Sequence, residues 1–207
     1  MVILGAGALG KSALEIFKGN DVIVFGFLDD SKALENQEID NVPVLGKLYE
    51  ESIIGEIGKS AEAFIAIDEN TVRKKLTKNL KKDREAVPVN AIHYTSLIPE
   101  SVELGFGNLI DAGVILGADS KIGSNCLIKA GARIDVGAQL GDFVQVGVGS
   151  NINAEVTVED EVFIGSGVTI VASAVIGKGA RIGAGSVVVE NVEAGSTVFG
   201  NPAKSIG

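Results

Sequence analysis

The sequence predicts a small α/β domain with a parallel sheet, followed by a parallel β-helix built from hexapeptide repeats. Two observations lead to this prediction. Strand-like and helix-like segments alternate over about the first 85 residues, and from residue 92 onward an aliphatic residue recurs at every sixth position. We therefore expect an amino-terminal domain of residues 1–87 and a β-helix domain of residues 88–207.

The composition of the chain excludes several classes of function. Its net charge of -9 over 207 residues argues against a nucleic-acid surface and a polybasic membrane anchor, because both need clustered lysine and arginine. A catalytic zinc site commonly uses several histidines, whereas His93 is the one histidine of this sequence. The apolar run at the start is too short and too rich in glycine for a signal peptide or a spanning helix. We expect a cytoplasmic protein with no metal, no nucleic-acid partner and no membrane insertion.

The amino-terminal domain is predicted from alternating apolar patterns. Its predicted elements are, in order, a strand at 2–5, a helix at 8–19 that ends at Gly19, strands at 21–30 and 61–68, a helix at 70–82 and a closing segment at 84–92. The second helix carries Val72, Leu76 and Leu80 on one face. We interpret its basic run, from Arg73 to Lys82, as the solvated side of that helix and not as a phosphate site.

The β-helix is predicted by a period of six that continues without a break in register. The aliphatic positions are Ile92, Ile98, Leu104, Ile110, Leu116, Ile122, Ile128, Ile134, Leu140, Val146, Ile152, Val158, Ile164, Ile170, Ile176, Ile182 and Val188. The residue four places further on is usually small or β-branched, with Asn108 as the polar exception. Three hexapeptides make one triangular coil, so each inward aliphatic stacks on its counterpart one coil later. Cys126 falls on the inward pattern, and we expect a buried thiol there, not a nucleophile.

The short turns of such a prism limit where a site can lie. No inserted loop interrupts the hexapeptides, so we expect any site in shallow grooves between neighbouring prisms. The stacked core does not bury all of its faces, and we therefore expect association of several chains, typically three.

A glycine-rich loop lies between the first predicted strand and helix. Gly5, Gly7 and Gly10 have the G-x-G-x-x-G spacing, and Asp29 and Asp30 follow about twenty residues later. Glycine lets the backbone approach a diphosphate, and the helix amino terminus supplies amide donors. Three interpretations remain open: a nucleotide-linked sugar, an NAD(P) dinucleotide, or a glycine-rich turn without a ligand. We favour the first, because the domain is short for a complete dinucleotide fold.

Taken together, these segments resemble one protein family. The stretches GAGALGKSALEI, VFGFLDD and FIAIDENTVRKKL, with the terminal VFGNPAKSIG, resemble the sialic acid O-acetyltransferase-type sugar acyltransferases. The best-understood members of that family N-acetylate nucleotide-linked 4-amino-4,6-dideoxy sugars. The resemblance covers essentially the whole chain. It implies a Rossmann-like domain that holds the nucleotide-linked sugar, a left-handed β-helix, acetyl-CoA as the co-substrate, and a homotrimer with active sites between adjacent prisms.

The resemblance also implies site residues by their position in the motifs. For the nucleotide-linked sugar these are Gly5, Gly7, Ala8, Leu9, Asp29 and Asp30. For the CoA molecule they are Gln145, Ser166, Ala184 and Lys204. Lys178 and Arg181 are further partners for the CoA phosphates by charge alone.

One segment departs from the family pattern. The family has a catalytic histidine followed by an acid where this chain has Val136 and Gly137, and a second histidine where it has Gln145. Asp135 is the nearest ionisable candidate for a base, but an ordinary aspartate pKa near 3.9 makes it a weak one at neutral pH. His93 precedes Asp135 by seven hexapeptides, which places it on another face and roughly 11 Å along a prism whose coils lie about 4.8 Å apart.

We therefore expect an acyl-CoA-dependent (acetyl) transferase that acts on a nucleotide-linked amino sugar in bacterial glycan biosynthesis, with impaired turnover. The alternative is a catalytically inactive homologue that binds a nucleotide-linked sugar or acyl-CoA. An amine acceptor suits an enzyme without a strong base, because a neutral amine attacks a thioester directly and a sugar hydroxyl does not.

Overall fold

The computed structural model describes residues 1–206, and the chain divides into a first unit, Met1–Tyr94, and a second unit that begins at Thr95. The strands of the first unit are β1 (Val2–Leu4), β2 (Gly26–Leu28), β3 (Glu38–Ile39), β4 (Val42–Gly46), β5 (Ala63–Ile65) and β6 (Ala91–Ile92). Its helices are α1 (Ala8–Gly19), α2 (Glu51–Ile54), α3 (Asn70–Arg84) and a 3-10 turn at Lys32–Leu34.

The first unit is built on a twisted sheet with the strand order β3-β4-β2-β1-β5. Strands β4, β2, β1 and β5 are parallel, and β3 pairs with β4 in antiparallel fashion. Helix α1 packs one face of the sheet, where the Phe17 and Phe64 rings meet edge to face at 5.8 Å. On the other face Leu76 and Leu80 of α3 join a core with Leu4. The prediction of a small parallel sheet covered by helices is confirmed.

Some elements of the first unit differ from the predicted ones. Helix α1 has the predicted bounds, but the strand expected at 21–30 is only three residues long. Gly26 pairs with Val2, so the residues before Gly26 have no strand to pair with, and Ile23 is 75% exposed. Strand β4, which pairs with β2, lies in a stretch for which the sequence patterns gave no element.

The sequence pattern predicts that the basic run of α3 is solvated, but part of it is buried. Arg73 is fully buried, whereas Lys75 and Lys78 are exposed. Arg73 occupies the buried side because it lies three, four and seven residues before Leu76, Thr77 and Leu80, which are also buried. The interpretation of this run as a solvated face is therefore wrong at Arg73.

The second unit is a parallel β-helix whose strands recur every six residues from Glu103 to Val188, followed by two closing strands. They are β7 (Glu103–Leu104), β8 (Leu109–Ile110), β9 (Ile115–Leu116), β10 (Lys121–Ile122), β11 (Leu127–Ile128), β12 (Arg133–Ile134), β13 (Gln139–Leu140), β14 (Gln145–Val146), β15 (Asn151–Ile152), β16 (Thr157–Val158), β17 (Phe163–Ile164), β18 (Thr169–Ile170), β19 (Val175–Ile176), β20 (Arg181–Ile182), β21 (Val187–Val188), β22 (Thr197–Phe199) and β23 (Lys204–Ser205).

Within residues 95–206 these strands form three faces of a prism. The first face holds β7, β10, β13, β16 and β19; the second holds β8, β11, β14, β17, β20, β22 and β23; the third holds β9, β12, β15, β18 and β21. Parallel pairing joins residues one coil apart, as between Lys121 and Gln139. The predicted aliphatic positions from Ile110 to Val188 are exposed by 3% or less, and Cys126 is buried. The hexapeptide register is confirmed from Ile110 to Val188, and the buried thiol is confirmed, whereas Ile92, Ile98 and Leu104 of the predicted series are only half-buried.

None of the helices in residues 1–206 has the length and the apolar character needed to span a bilayer.

Candidate functional site

The glycine-rich loop between β1 and α1 uses its three glycines differently. Gly5 has a φ of +107°, and a Cβ there would stand 2.4 Å from the Ala66 carbonyl oxygen. A Cβ on Gly10 would stand 2.1 Å from the Gly5 carbonyl oxygen. Gly7, in contrast, is exposed, has open space where a Cβ would be, and precedes the first turn of α1. The outer glycines therefore serve packing, and Gly7 lies on the solvent side of the loop.

Asp29 connects this loop to a neighbouring cavity. Its Oδ2 accepts a hydrogen bond from the Ala6 amide at 2.7 Å, and its Oδ1 accepts one from the Ser31 amide at 2.9 Å. Asp30 Oδ1 accepts a hydrogen bond from the Leu48 amide at 3.0 Å. Both carboxylates thus hold backbone in place, and each keeps further acceptor capacity, because an ionised carboxylate offers about four lone-pair sites.

The cavity has a volume of about 400 Å³ and lies where β2 and β4 end. It is lined by Asp29, Asp30, Ser31, Lys32, Glu35, Asn36, Val44, Leu45, Gly46, Lys47 and Glu50. Ligands of open parallel sheets bind outside the carboxyl ends of the strands, which is where this cavity opens. Its size and polar lining fit a small polar molecule.

The residues predicted to contact a nucleotide-linked sugar are not equally accessible. Gly7 and Ala8 are exposed, and Asp29 and Asp30 line the cavity. Leu9 is only 3% exposed and Gly5 is buried, so the side chain of Leu9 belongs to the packing of α1. Any contact that Leu9 makes to a ligand would come from its backbone.

Arg73 is a residue that the sequence patterns missed. Its Nη1 donates hydrogen bonds to the carbonyl oxygens of Ile67 and Asp68, at 2.5 and 3.1 Å, and its Nη2 donates to the Asn70 side chain. These carbonyls belong to the turn after β5, whose preceding residue Ala66 approaches Gly5. The buried guanidinium therefore fixes the turn that lies behind the glycine-rich loop. The sequence does contain a signal for the burial of Arg73, because Arg73 lies on the same face of α3 as Leu76 and Leu80.

On the β-helix, Val136 lies at the corner between β12 and β13. Val136 is 45% exposed. Asp135 Oδ1 accepts a hydrogen bond from the Val136 amide at 2.8 Å, which is the corner hydrogen bond common at that position. A Cβ on Gly117 would stand 2.4 Å from the Val136 nitrogen, so the coils stack closely here.

Two shallow grooves flank this corner. The groove on the third face has a volume of about 260 Å³, and Asp135 and Asn153 are among its lining residues. The groove on the first face has a volume of about 340 Å³ and includes Gln139 and Thr157. A ligand at Val136 would thus have accessible surface on both sides.

The residues predicted to bind CoA lie on other parts of the prism. Ser166 and Ala184 are exposed and stack at the corner between the second and third faces, where the Gly185 amide donates to the Ser166 carbonyl oxygen at 2.8 Å. Gln145 is half-buried on the second face, and Lys204 is exposed in the terminal hairpin. Within one chain, the structure therefore brings Ser166 and Ala184 together but places Val136 on a different corner.

The two additional cations already have partners in the chain. Lys178 Nζ lies 3.3 Å from the Asp160 carboxylate and 3.7 Å from that of Glu161. The Arg181 guanidinium lies 4.6 Å from the centre of the Phe163 ring.

His93 is in the first unit and stacks on Tyr94 with ring centres 4.4 Å apart. Among residues 1–206 no group of three or more His, Cys, Asp or Glu side chains is arranged to hold a metal ion.

Comparison with protein families gives two matches that follow the two units. The family described as PglD N-terminal domain matches residues 1–80. The family described as bacterial transferase hexapeptide (six repeats) matches residues 101–135 and 155–190. A comparison with curated proteins finds no match.

Several solved structures resemble the chain over its whole length. A histidine-to-asparagine mutant of perosamine N-acetyltransferase from Caulobacter crescentus, in complex with CoA and GDP-perosamine, is 31% identical with a TM-score of 0.92, over 100% of this chain and 96% of that one. WeeI from Acinetobacter baumannii AYE is 28% identical with a TM-score of 0.88, over 99% and 98% of the two chains.

A third likeness bears on the fold alone. The acetyltransferase domain of PglB from Neisseria gonorrhoeae FA1090, in complex with acetyl coenzyme A, is 24% identical with a TM-score of 0.91, over 99% and 98% of the chains. Together with the family matches, these structures establish a Rossmann-like domain followed by a left-handed β-helix.

Proposed function

Because the chain belongs to the family of hexapeptide-repeat sugar N-acetyltransferases with a PglD-type amino-terminal domain, we propose that it transfers an acyl group from acyl-CoA to a nucleotide-linked amino sugar. The observation that carries the proposal is the likeness to perosamine N-acetyltransferase over essentially the whole of both chains. The reaction would belong to bacterial glycan biosynthesis, with acetyl-CoA as the natural donor to test first.

The first unit would hold the nucleotide-linked sugar. The exposed Gly7 and Ala8 lie at the amino terminus of α1, a helix of 12 residues whose free amide groups and dipole suit a diphosphate. The cavity beside Asp29 and Asp30 would take the nucleoside, with carboxylates as acceptors for hydroxyl or amino groups. The likeness to a structure in complex with GDP-perosamine supports a sugar-linked nucleotide over NAD(P).

The second unit would supply the acyl-CoA site, and the geometry supports a site shared between copies. Ser166 and Ala184 lie on one corner of the prism and Val136 on another, so a cleft that uses all three would need two chains. A closed trimer provides three such clefts by symmetry. We include Gln145 and Lys204 among the proposed CoA contacts. We also propose a cytoplasmic location, because acyl-CoA is formed in the cytoplasm.

Asp135 is a poor candidate for the base in this reaction. Its carboxylate already accepts the Val136 amide, and the Val136 side chain itself has no ionisable group. A positioned base contributes roughly 10²–10⁴-fold, whereas juxtaposing bound reactants contributes more. An amine acceptor therefore suits this corner better than a hydroxyl acceptor, because a neutral amine attacks a thioester without the help of a strong base.

The proposal is tested by incubating purified protein with acetyl-CoA and a GDP-linked or UDP-linked 4-amino sugar, and following release of free thiol. We expect sugar-dependent release above the rate of acetyl-CoA hydrolysis, slower than in relatives that keep the histidine. Absence of sugar-dependent thiol at high protein concentration would contradict an enzymatic function.

A second candidate function is favoured by Val136 and Gly137 together. A protein that kept the scaffold and lost the base would bind the nucleotide-linked sugar or acyl-CoA without turning them over. Calorimetry that records binding in the absence of thiol release would support it. Thiol release in the Val136→His/Gly137→Glu double variant, with none in the wild type, would show that the rest of the site is intact.

A further inference from the structure

A column of four residues runs along the corner beside Val136; three of them are exposed and Gly137 is half-buried. Asp119, Gly137, Glu155 and Ser173 occupy the same place in successive coils and have positive φ angles of 58°, 66°, 58° and 61°. Each is joined to the preceding coil by its amide; that of Glu155 donates to the Val136 carbonyl oxygen at 3.0 Å. Glu155 is therefore fixed to the backbone of the residue that replaces the family's histidine.

The side chain of Glu155 reaches the space beside Gly137. A Cβ built on Gly137 would lie 3.7 Å from Glu155 Cγ, an ordinary van der Waals contact, and Glu155 is its one neighbour within 4 Å among the described residues. Glu155 Oε2 also accepts a hydrogen bond from the Ser173 hydroxyl at 3.3 Å. The side chain of Glu155 thus passes beside the position that carries the acid in the family, and its carboxylate lies next to the Ser173 hydroxyl of the following coil.

The other carboxylates of this corner are placed less well. Asp135 points its Oδ1 at the amide of Val136. Asp119 belongs to the same column but none of its atoms is within 4 Å of a Cβ at Gly137. Glu155 combines exposure, a side chain that contacts position 137, and a hydroxyl that orients it.

We propose that Glu155 accepts the proton released by the sugar amine, in place of the missing histidine; this inference rests on the proposed function. The amine nitrogen forms a bond to the thioester carbonyl carbon, and the resulting ammonium loses a proton to the Glu155 carboxylate. The carbon–sulfur bond then breaks, and the thiolate of CoA takes that proton. A carboxylate suffices because a nitrogen bonded to the tetrahedral carbon is far more acidic than a free ammonium.

Glu155→Gln tests the inference, since it keeps the shape of an exposed side chain and removes the proton acceptor. We expect kcat to fall about 10²-fold, with the KM for acyl-CoA within about twofold of the wild type. Asp119→Asn, the matched change two coils away in the column, should leave kcat unchanged.

The outcomes separate this inference from the proposed function. Wild-type turnover with an unchanged kcat in Glu155→Gln overturns the inference alone, as does a larger loss in Asp135→Asn. No turnover in the wild type overturns both proposals, because Glu155 then accepts no proton from a reacting amine.

Discussion

Gly5 and Gly7 lie two residues apart in the same loop, but their surroundings differ. At Gly5 a methyl group would overlap the Ala66 carbonyl oxygen, and the backbone has a positive φ. At Gly7 the φ is −73° and the space is open. One residue therefore determines the packing of β1 on the turn after β5, and the other determines what can approach the amino terminus of α1.

This difference predicts opposite effects of the same substitution. Gly5→Ala should lower the free energy of unfolding by about 3 kcal/mol, from backbone strain and the overlap with Ala66. Gly7→Ala should leave the thermal midpoint unchanged and weaken binding of the nucleotide-linked sugar about tenfold, because a methyl group would stand between ligand and amides. Calorimetry and thermal denaturation on both variants provide the measurements. Unchanged affinity in Gly7→Ala would remove Gly7 from the site.

Arg73 provides a second prediction at this scale. Arg73→Met removes the donors that satisfy the Ile67 and Asp68 carbonyls, and we expect a loss of about 3 kcal/mol in unfolding free energy. Lys78→Met, a matched change at an exposed position of the same helix, should alter it by less than about 0.5 kcal/mol. Denaturant titrations of the two variants provide the comparison, and equal stabilities would contradict the structural role of the guanidinium.

At the scale of the elements, inward polar residues link successive coils. Ser150 Oγ donates to the Gly165 carbonyl oxygen at 2.8 Å and accepts from the Val168 amide at 3.2 Å. Asn108, the polar exception in the repeat, makes an equivalent pair of hydrogen bonds. Its Nδ2 donates to the Gly123 carbonyl oxygen, and its Oδ1 accepts from the Cys126 amide. A polar residue at this position therefore has a structural role, because its side-chain amide provides hydrogen-bond partners for backbone groups of the next coil.

The same substitution at two buried serines tests whether inward polar residues stabilise the contact between coils. Ser150→Ala should lower the unfolding free energy by about 2 kcal/mol, because two buried backbone groups lose their partner. Ser120 is also buried, but its hydroxyl has no hydrogen-bond partner in residues 1–206, so Ser120→Ala should be neutral or stabilising. Equal losses from both substitutions in thermal or denaturant unfolding would contradict the link between coils.

The elements were predictable to different degrees, for a physical reason. The bounds of α1 followed from local pattern and a terminal glycine, and the coils followed from a period repeated many times. Strand β2 was overestimated because its length depends on where β1 begins, which an apolar run does not reveal. Strand β4 was missed because its apolar alternation is broken by Pro43 and ends at Gly46.

At the scale of the whole molecule, the separation of Val136 from Ser166 and Ala184 predicts a site made by two chains. We expect a solution mass of three chains, each of 21.3 kDa, by light scattering. A monomeric mass would contradict the proposed shared cleft.

Mixed trimers give a functional test of the same prediction. Val136→Trp and Ala184→Trp should each block the cleft and abolish thiol release. Co-expressed, they should recover about a quarter of the wild-type activity, because each mixed trimer then contains one unaltered cleft. Failure to recover activity in trimers that contain both variants would place the whole site within one chain.

The sequence alone determined the α/β class of the first part of the chain and the register of the hexapeptides, because both are properties of local pattern and spacing. Only the tertiary structure decided that Asp29 holds the glycine-rich loop, that Arg73 is buried behind it, and that Glu155 stands beside Gly137. Those contacts join residues that are distant along the chain or lie on successive coils. Their distances depend on how strands pair and coils stack, which no single stretch of sequence specifies.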